Sequence, residues 1–262
     1  RPTRYPGPAA LHWSRMNTPI FEPPYVAAAH GGEALSAQGF AVVHPAEVAV
    51  WLPATPEELA RLHQAWDDLP PDTYLKDGGR YRRRRHASFV VEDGRVAPVP
   101  HRAHWQPVEY NALHGGMRRW FEPVLPDTLA QPVWQRLLTR TGEVASARFG
   151  ARPWFVEAHL FRIDTTDGIG RPTPEGAHRD GVDLVAVYMV GRHCIKGGES
   201  RVFAADGPAG QRFTLRHPWT LLLLDDARVI HETTPIQPLA PGEVGWRDTL
   251  VLTYRRDGFL GG

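Results

Sequence analysis

Cysteine is almost absent: Cys194 stands alone in 262 residues. A lone thiol closes no internal disulfide, so the core must hold without covalent staples. It is expected to be buried and inert, in a reducing, cytoplasmic compartment. No apolar run approaches the ~20 residues of a membrane-spanning helix, so no membrane partner is expected. The opening stretch RPTRYPGPAALHWSRMNTP lacks the apolar segment of a secretory signal. An excess of charge is missing too. Lys+Arg 30 against Asp+Glu 29 leaves a formal net charge of +1, which argues against nucleic acid as a partner. Internal repeats and low-complexity tracts are also lacking. What remains is a globular chain long enough to bury a sizeable core as one domain over residues 1–262.

Turn formers are plentiful, with Gly and Pro at 25 each, so short elements and many reversals are expected. Residues 1–25 read as a proline-rich arm and residues 26–150 as mixed helix-and-strand support. In the support, a helix ending at Gly39 precedes a strand from Phe40. TPEELARLHQAWDDLPP carries an N-cap at Thr55, Pro56 in the first turn and Glu58 for a capping box. GGRYRRRRHASFVVEDGRVAPV reads as two strands about a turn at 92–94. Helices are expected over 111–126 and 131–145. Residues 151–257 change texture to short, evenly spaced strands, which points to a jelly-roll core. The fold class is therefore α+β, mainly β, with flanking helices from the N-terminal half.

EGAHRDGVDLVAVYMVGRH, residues 175–193, places His178 and Asp180 before an apolar run. On an extended chain, residues i and i+2 share a side, so imidazole and carboxylate are expected to project together from a strand mouth. His231 follows LLLLDDARVI at the end of a second apolar stretch. Two histidines and one carboxylate match the facial triad of non-haem Fe(II) sites, which leaves open positions for other ligands. Arg247 opens the last expected strand with Thr249 on its face, a pair suited to clamping a carboxylate. Arg162 and Arg255 are lesser candidates for that clamp.

The run Arg80–Arg85, broken by Tyr81, has three readings: a solvated strand edge, capture of a substrate carboxylate by Arg82 and Arg84, or nucleic-acid contact. His159 reads as a pocket or core histidine rather than a ligand. Gln106 and Asn111 are polar neighbours that could bind a substrate. Trp105, Tyr110, Trp120 and Phe121 read as core. Gly197 and Gly198 read as turn glycines.

The ordered set of HRD at 178–180, GGES at 197–200, His231 and RDT at 247–249 resembles the Fe(II)/2-oxoglutarate dioxygenases. More narrowly, the chain resembles the bacterial subfamily that includes L-isoleucine 4-hydroxylase and related free amino acid hydroxylases. GGRYRRRRHASF, QPVEYNALHGGMRRWFEP and WRDTLVLTYRR carry that likeness. The resemblance implies a double-stranded β-helix, Fe(II) on His178, Asp180 and His231, 2-oxoglutarate on Arg247, and O2 as second cosubstrate. It implies a small-molecule substrate, an amino acid, hydroxylated with release of succinate and CO2. A carrier-tethered amino acid, a peptide or a nucleobase are alternative substrates, and a non-catalytic jelly-roll binding protein is the alternative from another class.

Overall fold

The computed structural model describes residues 21–261, so residues 1–20 of the expected arm lie outside it. The strands are β1 (Tyr25–Val26), β2 (Phe40–Val43), β3 (Arg82–Glu92), β4 (Arg95–Pro98), β5 (Trp154–Asp164), β6 (Leu184–His193), β7 (Ile195–Gly197), β8 (Ser200–Ala204), β9 (Gly210–Phe213), β10 (Thr220–Asp225), β11 (Val229–Thr233), β12 (Ile236–Pro238) and β13 (Trp246–Arg255). The helices are α1 (Gly31–Gln38), α2 (Pro45–Trp51), α3 (Pro56–His63), α4 (Pro126–Leu129) and α5 (Pro132–Phe149). One eight-stranded sheet runs β1-β2-β10-β6-β13-β5-β3-β4, and β11-β8-β9 and β12-β7 form two smaller sheets.

Alternation along the central strands explains the layering. Leu221 and Leu223 of β10, Tyr188 and Val190 of β6, and Leu250 and Leu252 of β13 pack with Leu35, Leu62, Trp134 and Leu137 of the helical layer. Leu222, Leu224, Val185 and Met189 point the other way, toward Val202, Phe213 and Val229. A two-sided apolar strand therefore feeds two cores, each leucine contributing about 1.5–3 kcal/mol on full burial. Farther along the sheet, the second face turns polar. There β13 presents Arg247, Thr249 and Thr253, β5 presents Glu157, His159 and Phe161, and β3 presents Arg82 and Arg84, all lining one cavity.

Local signals hold where local energy suffices. The Thr55 hydroxyl accepts from the Glu58 N–H and the Glu58 carboxylate accepts from the Thr55 N–H, so the capping box starts α3. The β3–β4 turn falls at Asp93–Gly94, both at positive φ, as a two-residue hairpin requires. The helix expected over 111–126 does not form; turns occupy 112–116, and Arg119 and Pro123 then make isolated bridges to His104 and His86. The Asn111 side-chain oxygen accepts the His114 N–H at 2.7 Å, which competes with the helical ladder, and Gly115–Gly116 weaken it further. Among the described residues, no helix is long and apolar enough to cross a membrane. Cys194 is half-buried rather than buried, its Sγ 3.2 Å from His193 Nε2, because it sits in the reversal between β6 and β7 rather than inside a strand. Trp120, expected in the core, is 54% exposed.

Candidate active site

His178 and Asp180 are not on a strand: β6 begins only at Leu184. His178 instead makes an isolated antiparallel bridge with His231, each backbone N–H reaching the other's carbonyl at 3.0 and 2.9 Å. The loop beyond it is held by one buried carboxylate. Asp226 accepts the N–H groups of Asp180, Gly181 and Val182 at 3.0, 2.8 and 3.1 Å. Gly181 takes φ +78, and a Cβ there would meet the Tyr110 ring at 2.5 Å, so the turn requires glycine. Asp226 thus brings imidazole and carboxylate to one side, a task the sequence reading gave to strand alternation.

The donor atoms of His178, Asp180 and His231 lie within 4.8 Å of one another. His178 Nε2 and His231 Nε2 each stand 3.7 Å from an Asp180 oxygen. His178 Nδ1 donates to the Gly176 carbonyl at 2.9 Å, which leaves Nε2 with its lone pair toward the cluster. Gln106 Nε2 donates to Asp180 Oδ1 at 3.2 Å, orienting the carboxylate. His231 is buried, and burial with the neighbouring His178 lowers its imidazole to about 3. Asp180 and Glu175 outweigh burial at His178 and raise it. Two imidazole nitrogens and a carboxylate oxygen so arranged fit a divalent first-row metal. Asp226→Ala orphans three backbone donors behind this loop. Metal affinity is expected to fall about 10–100-fold, read by anaerobic Fe(II) titration; unchanged affinity would remove Asp226 from this role.

Arg247 is 4% exposed, and its Nε has no hydrogen-bond partner. Burial and nearby Arg192 lower its guanidinium to about 9. A buried cation with an orphan donor fits an anionic ligand. Arg162 faces elsewhere: it grips Asp248 at 2.8 and 2.7 Å. Arg255 donates to the carbonyls of Asp257 and Gly258. Neither lines the cavity that Arg247 and Thr249 line. The ladder between β13 and β6 slips between Asp248 and Thr249, a bulge at the cavity floor. Gly197 and Gly198 both take positive φ as turn residues, and a Cβ on Gly198 would stand 3.8 Å from Arg247 Cδ.

The arginine run splits by alternation. Arg80 is exposed and pairs with Asp167. Arg83 and Arg85 lie outward near Asp164 and Asp68. Arg82 and Arg84 point into the cavity, 5% and 4% exposed, which removes the solvated-edge reading for them. Arg84 lies between the rings of Phe121 and Phe161, 3.6 and 4.3 Å from their centroids. Phe121 is thus both buried and part of the wall behind the cavity. His159 lines the cavity and its Nδ1 accepts from Arg84 Nη2 at 2.7 Å. Gln106 and Asn111 line it too, joined by a hydrogen bond of 3.1 Å.

Other cavity residues escaped the sequence reading. Arg119 is 2% exposed and donates to Gln106 Oε1 at 3.0 Å. Glu175 stands 3.6 Å from His178 Nε2, and its Oε2 is buried without a partner. Glu157 accepts from His86 Nε2 at 3.0 Å, Arg102 Nη1 at 3.1 Å and His104 Nδ1 at 3.1 Å. Those donors hold its carboxyl well below the usual range against the cost of burial. With His159 this makes a second buried group of possible metal ligands. The three donor contacts already satisfy Glu157, so it reads as a hydrogen-bonded wall. A glutamate three places before a histidine is a weak signal, and nothing in RRW marks Arg119 for burial.

The fold agrees with the comparisons. The chain belongs to the 2OG-Fe dioxygenase family, whose model matches residues 63–253. That family uses Fe(II), 2-oxoglutarate and O2, and the chain is an oxygenase with a jelly-roll core. A crystal structure of a bsmA homologue from Methylobium petroleophilum PM1 is 51% identical, covering 92% of this chain and 97% of its own, with a TM-score of 0.85. IDO from Bacillus thuringiensis is 16% identical over 87% of this chain and 99% of its own, with a TM-score of 0.72. The Fe(II)/α-ketoglutarate-dependent dioxygenase TqaL is 20% identical over 87% and 86%, with a TM-score of 0.66. The last two show likeness of fold. None of the curated proteins matches the chain.

Proposed function

We propose that this oxygenase hydroxylates a free L-amino acid or a close derivative. His178, Asp180 and His231 hold Fe(II). Arg247, with Thr249, holds the far carboxylate of 2-oxoglutarate. Arg82, Arg84, Gln106, Asn111 and His159 face the substrate. When bound, Fe(II) and 2-oxoglutarate supply O2 activation, releasing succinate and CO2 and leaving one oxygen atom for a C–H bond of the substrate. The chain's own residues position and shield. Gln106 fixes Asp180, Gly176 fixes the His178 tautomer, and the aromatic pair about Arg84 keeps water from its guanidinium.

The observation that carries this reading is the spacing of cations on one cavity face. Arg247 of β13 pairs in register with Ile163 of β5, and Ile163 with Arg82 of β3. Two strand spacings separate them, about 10 Å. One cationic end suits the cosubstrate and the other suits a second carboxylate. A carrier-tethered amino acid has no free α-carboxylate for Arg82 and Arg84, and the buried Oε2 of Glu175, without a partner among the described residues, suits an ammonium group. The resemblance to free amino acid hydroxylases points the same way.

The test is succinate formation over a panel of L-amino acids. At least one should raise turnover of 2-oxoglutarate well above the substrate-free rate; a flat panel would sink the amino acid reading. In the same assay Arg247→Ala should raise the 2-oxoglutarate KM by about 100-fold, the worth of a bidentate charge-assisted pair. The amino acid KM should barely move. An equal rise in both would assign Arg247 to general packing.

A further inference from the structure

The inner end of the cavity holds more positive charge than one carboxylate needs. Arg82, Arg84 and Arg119 are each at most 5% exposed and line it together. Among the described residues, each retains a buried N–H without a partner: Nη2 of Arg82, Nε of Arg84 and Nε of Arg119. A single carboxylate serves two of them. Asp72 sits 2.7 Å from Arg82 Nε and 3.7 Å from Arg84 Nη1, with its side chain fully buried. Arg119 has no carboxylate within salt-bridge distance among the described residues; its Nη2 meets the amide oxygen of Gln106. Of the other acids near Arg119, Glu157 is matched by Arg102 and Glu175 stands 3.6 Å from His178 Nε2. Mutual repulsion with Arg82, added to burial, lowers Arg119 to about 10.

Leaving two guanidinium charges buried and unmatched costs several kcal/mol per ion. A neutral-side-chain amino acid would bring one carboxylate and leave one cation unpaired. We propose that the substrate carries two negative charges at this end, as in an acidic α-amino acid of the glutamate or aspartate kind, with Arg119 as the residue that selects the second acidic group. The proposal deepens the reading above and rests on this cavity being the substrate pocket. An ammonium beside Glu175 and two acidic groups among Arg82, Arg84 and Arg119 would leave every buried charge matched. A phosphoryl group carries the same dianionic chemistry, and the test separates the two sources.

The experiment is calorimetric titration of the full chain under anaerobic conditions, loaded with Fe(II) and saturating 2-oxoglutarate. The probes are L-glutamate, L-glutamine, L-aspartate, L-asparagine, O-phospho-L-serine, glutarate and L-isoleucine. One acid of each isosteric pair should bind at least about tenfold tighter than its amide, the worth of one charge-assisted contact. Arg119→Met should shrink that preference below about threefold by weakening acid binding far more than amide binding. Tighter binding of phosphoserine than of either acid would support the dianionic subsite and assign it to a phosphoryl group.

Equal binding of acid and amide, or binding of isoleucine alone, would overturn the dianion inference and leave the amino acid reading standing. Binding of glutarate but of no amino acid would keep the dianion and discard the amino acid. Binding of none of the probes would overturn both. A second readout guards against a merely structural arginine. Metal-free Arg119→Met should melt no lower than the parent, because the change removes an unmatched buried charge. A clear drop in its Tm would show Arg119 to be structural, against the proposal.

Discussion

Asp180→Ala should lower 2-oxoglutarate turnover by more than about 100-fold with the fold kept. Partners one step removed from a metal typically matter 10–100-fold, and on the proposed reading Asp180 touches the metal itself. Among the described residues it is the acid that stands 3.7 Å from both imidazoles, His178 and His231. Its removal should not weaken the metal-free fold. The Asp180 charge, added to burial, pushes the carboxyl of Asp226 up to about 7, so alanine relieves a repulsion. Succinate assays and melting curves on the same preparation separate the two effects. Turnover within tenfold of the parent would refute the ligand assignment.

Acid should destabilise the metal-free protein early, between pH 7.5 and 5.5. Burial lowers His86, His104, His114, His159 and His231, with His104 and His114 at about 4. A histidine depressed in the fold is stabilising while neutral. As pH falls through ~6.5 the unfolded chain takes up the proton and the fold does not, so stability is lost downward. His178 and Asp226 are raised and act in the opposite sense, gaining stability as pH falls. Five groups against two leaves a net loss of stability, read as a fall in Tm. Glu157, held low by its three donors, extends the loss below the ordinary range of a glutamate near 4.3. A Tm unchanged between pH 7.5 and 5.5 would contradict this picture. Bound metal should steepen the fall, since imidazole must be neutral to ligate.

The sequence by itself determined what depends on near neighbours. Two-residue alternation set which leucines of β10 meet the helices and which meet the smaller sheet. The capping box at Thr55 and the Asp93–Gly94 turn carry their own hydrogen bonds and backbone angles. The chemistry of the residues nominated His178, Asp180, His231 and Arg247, and the fold brings all four to one cavity. Only the tertiary structure decided how they are held and what surrounds them. The HRD loop is not a strand because Asp226, 46 residues from Asp180, collects its backbone donors. Two of the five arginines in the run turned inward because β5 pairs along β3 and puts Arg84 beside Phe161 and His159. Arg119 became a buried cavity residue because residues 111–126 abandoned the helix, and its backbone pairs with His104 instead. In each case a contact between distant segments outweighed local preference. Those energies depend on which partners the whole chain brings together, and no window of sequence contains both sides of the contact.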